Sequence, residues 1–200
     1  MSETTAGAPS RGPVPHQRFP VALLGMVLFV AGEVMFFGAL FAAYFTLRRR
    51  AGVWPPEGTP EIDVVLPAIL TGVLLISSLT AHLAVGAYKK GNRGGLVRWL
   101  AATVLLGAVF LVGEGIEWAR LIGEDFTISS NVYGTLFFTM TGFHGLHLLG
   151  GLIILLVGLR RATIAPLAHQ RLASLEAATY YWHFVDVVWL GVGTSLYLLA

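Results

Sequence analysis

Cysteine is absent from the 200 residues of this chain. Disulfide staples, thiolate metal sites and cysteine nucleophiles are therefore excluded. Charge is scarce as well: Asp, Glu, Lys and Arg supply 12% of the residues, against 56% hydrophobic. A soluble domain of this size would need a far more polar surface, so a mean hydropathy of +0.74 reads as an integral membrane protein. The formal net charge of +2 is small and dispersed, and does not suggest nucleic acid as a partner. No alternating strand pattern and no convincing repeat is present. The connections between apolar runs are too short for a soluble domain. Glycine, by contrast, is frequent at 24 residues, as expected where helices approach closely in lipid.

A membrane-spanning helix needs about 20 apolar residues. Five segments qualify, approximately Val21–Leu47, Val64–Tyr88, Leu96–Trp118, Val132–Leu159 and Ala177–Ala200. The fold class is thus all-α, a single bundle of five transmembrane helices over residues 20–200. Residues 1–19 carry Pro9, Gly12, Pro13 and Pro15 and read as a flexible polar tail. The first apolar run is too long for the core of a cleavable signal, and no small-residue cleavage site follows it. The breaks fall at Trp54–Gly58, Lys89–Gly95, Gly123–Asp125 and Arg160-Arg161.

Positive charge sets orientation. With the N-terminus inside, Arg11, Arg18, Lys89, Lys90, Arg93, Arg98, Arg160, Arg161 and Arg171 are inside; Arg48, Arg49, Arg50 and Arg120 are outside. That majority favours N-inside and C-outside, with Arg48–Arg50 dissenting.

Ionisable groups within spans are expensive and default to function. Glu33 lies about 18 Å along the first span at 1.5 Å per residue, either as a proton-active or lipid-contacting group or as a hydrogen-bonded structural carboxyl. Glu114 and Glu117 share a face of the third span. Glu114 is expected to pack against a donor, and Glu117 to act as an interfacial anchor or partner contact. His144 and His147, also three apart, share a face of the fourth span. Two histidines can begin a metal site, but a complete one needs three or four ligands with support behind them. Glu33, Glu114 and His183 are the residues that would have to complete it, and no span carries the Glu-x-x-His pair of a bundle di-iron centre. Helix-to-helix hydrogen bonding is the competing use, favoured by Gly142, Gly145, Gly150 and Gly151. His82 follows Ser77, Ser78 and Thr80 on the second span. His183 and Asp186 share a face of the last. By depth, His82, His147, His183, Asp186 and Glu33 fall in the middle or inner half. They form either a polar seam between helices or the border of a lipid or proton site.

The stretch Thr179-Tyr180-Tyr181-Trp182-His183-Phe184-Val185-Asp186-Val187-Val188-Trp189 resembles the last-helix signature of subunit III of haem-copper oxidases, the cytochrome c oxidase type. Thr141-Gly142-Phe143-His144-Gly145-Leu146-His147, with Phe137-Phe138 before it, resembles the family's penultimate helix. Gly32-Glu33-Val34-Met35-Phe36-Phe37 resembles its carboxyl-bearing helix. Phe110 to Trp118 is similar to a further helix, with Glu114 in the usual Gln place and Trp118 in the usual Tyr place. The resemblance covers nearly everything from Phe19 onward, and its order matches the five-helix bacterial form.

That resemblance implies a non-catalytic subunit without cofactors of its own. Haem, copper, oxygen reduction and proton pumping belong to subunit I, and electron entry to subunit II. Subunit III would stabilise subunit I, hold phospholipid and sustain proton uptake. The resemblance assigns to Glu33 the carbodiimide-reactive carboxyl. It assigns a lipid-cleft or subunit-contact role to His82, Glu117, His144, His147, His183 and Asp186, and no catalytic or metal-binding residue. No mitochondrial presequence is evident, so the expected site is the bacterial plasma (inner) membrane, crossed several times. The alternatives are subunit III of a quinol oxidase, which differs in electron donor, and a proton-coupled transporter. A transporter would more often show repeats and broken helices near the midplane.

Overall fold

The computed structural model describes residues 21–164 and 172–199. The expected N-terminal tail, with Arg11 and Arg18, lies outside the described residues, as do Arg171 and Ala200. Five helices follow in order: α1 Val21–Arg50, α2 Val65–Lys89, α3 Arg93–Gly123, α4 Val132–Ile164 and α5 Leu172–Gly193. A π-helical turn, Thr194–Leu198, continues α5. The helices run alternately up and down. One end of the bundle therefore carries the α2–α3 hairpin together with the close of α4. The other end carries the α1–α2 and α3–α4 connections and the π turn.

The α2–α3 hairpin is tight because its residues suit it. The N–H groups of Gly91 and Asn92 donate to the carbonyls of Tyr88 and Ala87, both at 2.9 Å, closing α2. Gly91 sits at φ +67, a left-handed conformation that costs glycine nothing. Asn92 then caps α3, its side-chain oxygen accepting from the Gly95 N–H at 2.8 Å, as a polar N-cap residue does. Arg93, Gly94 and Gly95, expected in the connection, are consequently the first residues of α3. The close of α4 is corrected in the same direction. Arg160 and Arg161 lie inside the helix, which continues to Ile164. Arg93 satisfies its last turn, donating from Nε to the Ala162 carbonyl at 2.8 Å and from its guanidinium to the Thr163 carbonyl. Charged residues at the end of a span end the hydrocarbon zone without ending the helix.

α2 and α3 form the closest antiparallel pair, and α5 packs against α2, α4 and α1. Bare glycines set the separations. A Cβ on Gly107 of α3 would stand 2.6 Å from the Trp182 ring, and one on Gly113 would stand 2.5 Å from Leu70. α1 is peripheral. It packs mainly on α5 and touches α4, and its buried side chains are Phe37 and Tyr44.

Four helices, α1 to α4, are long and apolar enough to cross a membrane. α5 is 22 residues long and carries Glu176, Tyr180, Tyr181, His183 and Asp186, which lower its hydropathy. At the end that carries the π turn, Tyr44 of α1 donates to the Ser195 carbonyl and Tyr133 of α4 donates to the Leu196 carbonyl. Arg120 pairs with Glu124 at 3.2 Å and reaches Asp63 at 3.9 Å. Asn131 donates to Thr59 at 3.0 Å. The α1–α2 and α3–α4 connections are thereby stitched together.

Candidate functional site

Glu33 meets His147. Its Oε2 lies 2.8 Å from the imidazole Nε2, joining α1 to α4 near the middle of both helices. The other ring nitrogen, Nδ1, lies 2.6 Å from the Phe143 carbonyl. A carbonyl only accepts, so Nδ1 carries a proton. Nε2 then either accepts from a protonated Glu33 or, when doubly protonated, donates to its carboxylate. The pair has zero net charge in both states, which removes most of the cost of placing a carboxylate in hydrocarbon. Phe36 and Phe37 flank the imidazole, with centroid distances of 6.0 and 5.0 Å. Tyr181 of α5 donates to the His147 carbonyl at 3.0 Å. The two side chains keep 19% and 16% of their exposure, so the pair is reachable from one side.

His144 does not join His147. It is fully buried between Phe110 and Trp189, with ring centroids 5.5 and 4.8 Å away. The expectation of one shared face is corrected. Three residues turn a helix by about 300°, and the remaining offset of about 60° sends one imidazole toward α3 and α5 and the other toward α1. Among the described residues no side chain bonds either ring nitrogen of His144, and the Val185 backbone lies beside it.

Glu114 is buried too, and its Oε1 has no hydrogen-bond partner. Among the described residues no donor reaches that oxygen. The carboxyl lies instead over bare backbone, where a Cβ on Gly145 would come within 3.0 Å of Oε2. Glu117 has found a partner inside the chain: Tyr197 of the π turn donates to its Oε2 at 2.8 Å.

His183 bonds Ser78 of α2 through Nδ1. Asp186 is buried on the same α2–α5 seam, and its polar neighbour is the Ser78 hydroxyl. His82 is exposed on α2. The structure thus brings Glu33 together with His147 and places His82, His183 and Asp186 along one α2–α5 seam. His144, Glu114 and Glu117 stand apart at the interior of α3, α4 and α5. Among the described residues no group of three or more His, Asp or Glu side chains comes close enough to hold a metal ion.

The partners were harder to foresee than the ionisable groups. Ser78, Tyr181 and Tyr197 each complete a contact; the first two were singled out in the sequence without these partners, and Tyr197 was not. Tyr197 carried a usable signal, since it and Glu117 both lie toward the C-terminal ends of α3 and α5, which run in the same direction in an alternating bundle. Three tryptophans also cross-link the bundle. Trp182 donates to Ser77 at 3.0 Å, Trp189 to Thr71 at 2.9 Å and Trp118 to Thr141 at 3.1 Å.

Comparison with known proteins gives this arrangement its context. The family model of cytochrome c oxidase subunit III matches residues 19–200. A probable cytochrome c oxidase subunit 3 from Nocardia farcinica is 42% identical over 177 residues, covering 88% of this chain and 87% of the relative. Cytochrome c oxidase subunit 3 of Corynebacterium diphtheriae is 40% identical over 179 residues, covering 88% and 87%. That of Thermostichus vulcanus is 38% identical over 186 residues, covering 92% and 90%. The match runs through α1 to the π turn and includes both members of the Glu33–His147 pair, and on that extent and identity the chain belongs to the cytochrome c oxidase subunit III family.

Proposed function

We propose that this chain is the non-catalytic third subunit of a respiratory haem-copper oxidase, one that takes electrons from cytochrome c. It packs against subunit I, which with subunit II carries the haem and copper, and it holds phospholipid and supports proton uptake. The chain crosses the bacterial plasma membrane five times, N-terminus inside. α5 is the fifth crossing, with Trp182, Asp186 and Trp189 turned toward neighbouring helices. The names of its relatives favour the cytochrome c branch over a quinol oxidase. The charge majority supports the orientation: Lys89, Lys90, Arg93, Arg98, Arg160 and Arg161 gather at one end of the bundle, against Arg48, Arg49, Arg50 and Arg120 at the other, and cytoplasmic ends carry the excess.

The observation that carries the reading is the Glu33–His147 pair. A carbodiimide adds to the protonated form of a carboxyl group. In the arrangement in which Glu33 donates to Nε2 at 2.8 Å, a partly exposed carboxyl presents that form. The pair also gives a proton two adjacent resting places at mid-depth.

Two measurements test the function. Purification through a tag on this chain is expected to bring down haem, copper and a larger multi-helix subunit; a chain that purifies without them defeats the assignment. In the intact complex, Glu33→Gln is expected to abolish carbodiimide labelling of this chain while oxygen reduction persists. Full-yield labelling of the variant would remove Glu33 from the role.

A further inference from the structure

The lipid-facing surface of the bundle is not uniform. Along α3 and α4 the exposed side chains at mid-depth are apolar, among them Val112, Ile116 and Leu146. The seam between α2 and α5 is different. α1 packs on α5 and α4, while α2 packs on α3 and α5, so a strip of α5 faces outward between α1 and α2. Along it stand Tyr180, His183 and Val187, separated by three and four residues and exposed or half-buried. The neighbouring face of α2 presents Leu79 and His82, both exposed.

His82 lies seven residues before Lys89, the last residue of α2, and so about 10 Å inside the end of the helix. No hydrogen bond reaches it among the described residues, and the bond to Ser78 is the one that reaches His183. That bond occupies Nδ1 and leaves Nε2 for a partner. Acyl chains give an imidazole nothing to bond, and ionisable groups within spans almost always face protein or water. A purely apolar helix would fail in the same way. The Glu33–His147 pair has no such need, because each group satisfies the other.

We propose that this α2–α5 strip is the surface on which a transmembrane helix of a partner subunit docks, and that the helix presents a carboxyl or carboxamide side chain to His82 and His183. Leu79 and Val187 supply the apolar contact on either side of the polar pair. The inference rests on the chain being a subunit of a membrane complex and adds which face makes the contact.

The lack of cysteine in this chain suits a site-specific test. Leu79→Cys and Val187→Cys, each carrying a photoactivatable maleimide in the intact complex in native membranes, are expected to give adducts with a larger multi-helix subunit. Val112→Cys and Leu146→Cys are expected to give lipid adducts. The reverse pattern, lipid adducts from all four positions, or adducts with a second copy of this chain overturns the proposal. If the oxidase does not co-purify at all, the functional assignment fails; if it does and the adducts come from α3 and α4, the docking surface alone fails. His82→Leu gives an independent reading. Lost interhelical hydrogen bonding of the usual strength lowers retention of this chain during detergent purification about three- to thirtyfold. Retention equal to that of the unaltered chain would show that His82 has no partner.

Discussion

His147 holds its own backbone with one ring nitrogen and another helix with the other. The two bonds make its orientation independent of rotamer preference and give Glu33 a fixed acceptor or donor in a region where water is scarce. Removing one partner leaves the other stranded, at a cost of about 1–3 kcal/mol for a buried polar group. Replacing both by apolar groups is nearly neutral. His147→Leu is therefore expected to lower the thermal stability of the chain in detergent, and Glu33→Leu/His147→Leu to recover most of the loss. Equal melting temperatures for His147→Leu and the unaltered chain would show that the pair contributes nothing. The depth and charge of Glu33 were legible in the sequence, because both follow from position along one helix. Its partner was not, because sequence does not say how neighbouring helices are rotated about their axes. The same ignorance left Glu114 with an expected donor, when its neighbour is the backbone at Gly145. His144 and His147 look like one cluster for a different reason: the offset of about 60° between positions three apart on one helix is enough to send them to different neighbours.

At the scale of elements, α5 shows why hydropathy and function pull apart. It packs on α1, α2 and α4: Trp182 is fully buried, fits against Gly107 and Gly151 and donates to Ser77. The same aromatic and polar groups that lock it among its neighbours dilute its apolar signal, so that α1 to α4 meet the criteria for a span and α5 does not. Gly107 is the tightest of these fits. A methyl group there meets the Trp182 ring at 2.6 Å, and overpacking of this kind costs about 1–3 kcal/mol. Gly107→Ala is expected to lower the melting temperature, whereas Gly115→Ala, which meets nothing within 4 Å, is expected to leave it unchanged. The reverse ranking would refute the packing account. The five helices could be read from runs of apolar residues alone, since length and hydropathy are local properties. Their ends could not: Asn92 capping and the Arg93 contact with the last turn of α4 extend helices through residues whose charge suggests a loop.

The whole molecule is laced from one end to the other. At one end Arg93 ties the α2–α3 hairpin to α4, and Lys89 pairs with Glu176 at 2.8 Å. At the other, the carbonyls of the π turn accept from Tyr44 and Tyr133, while Tyr197 reaches Glu117. A chain terminated after Gly193 lacks all three contacts. It is expected to lose α1 first, seen as rapid hydrogen exchange or protease cutting between α1 and α2 with α2–α4 still protected; uniform protection along such a chain would contradict this. The lacing also has a consequence for the order of biosynthesis. α1 is made before α2 to α5, yet its helix neighbours are α4 and α5, and α2 is not a major one. Glu33 must wait for His147, and Tyr44 for Ser195, which follows α5. Until then α1 stands with a carboxyl and a phenol unanswered, a nascent helix that has to be sheltered while the three helices between α1 and α5 are made.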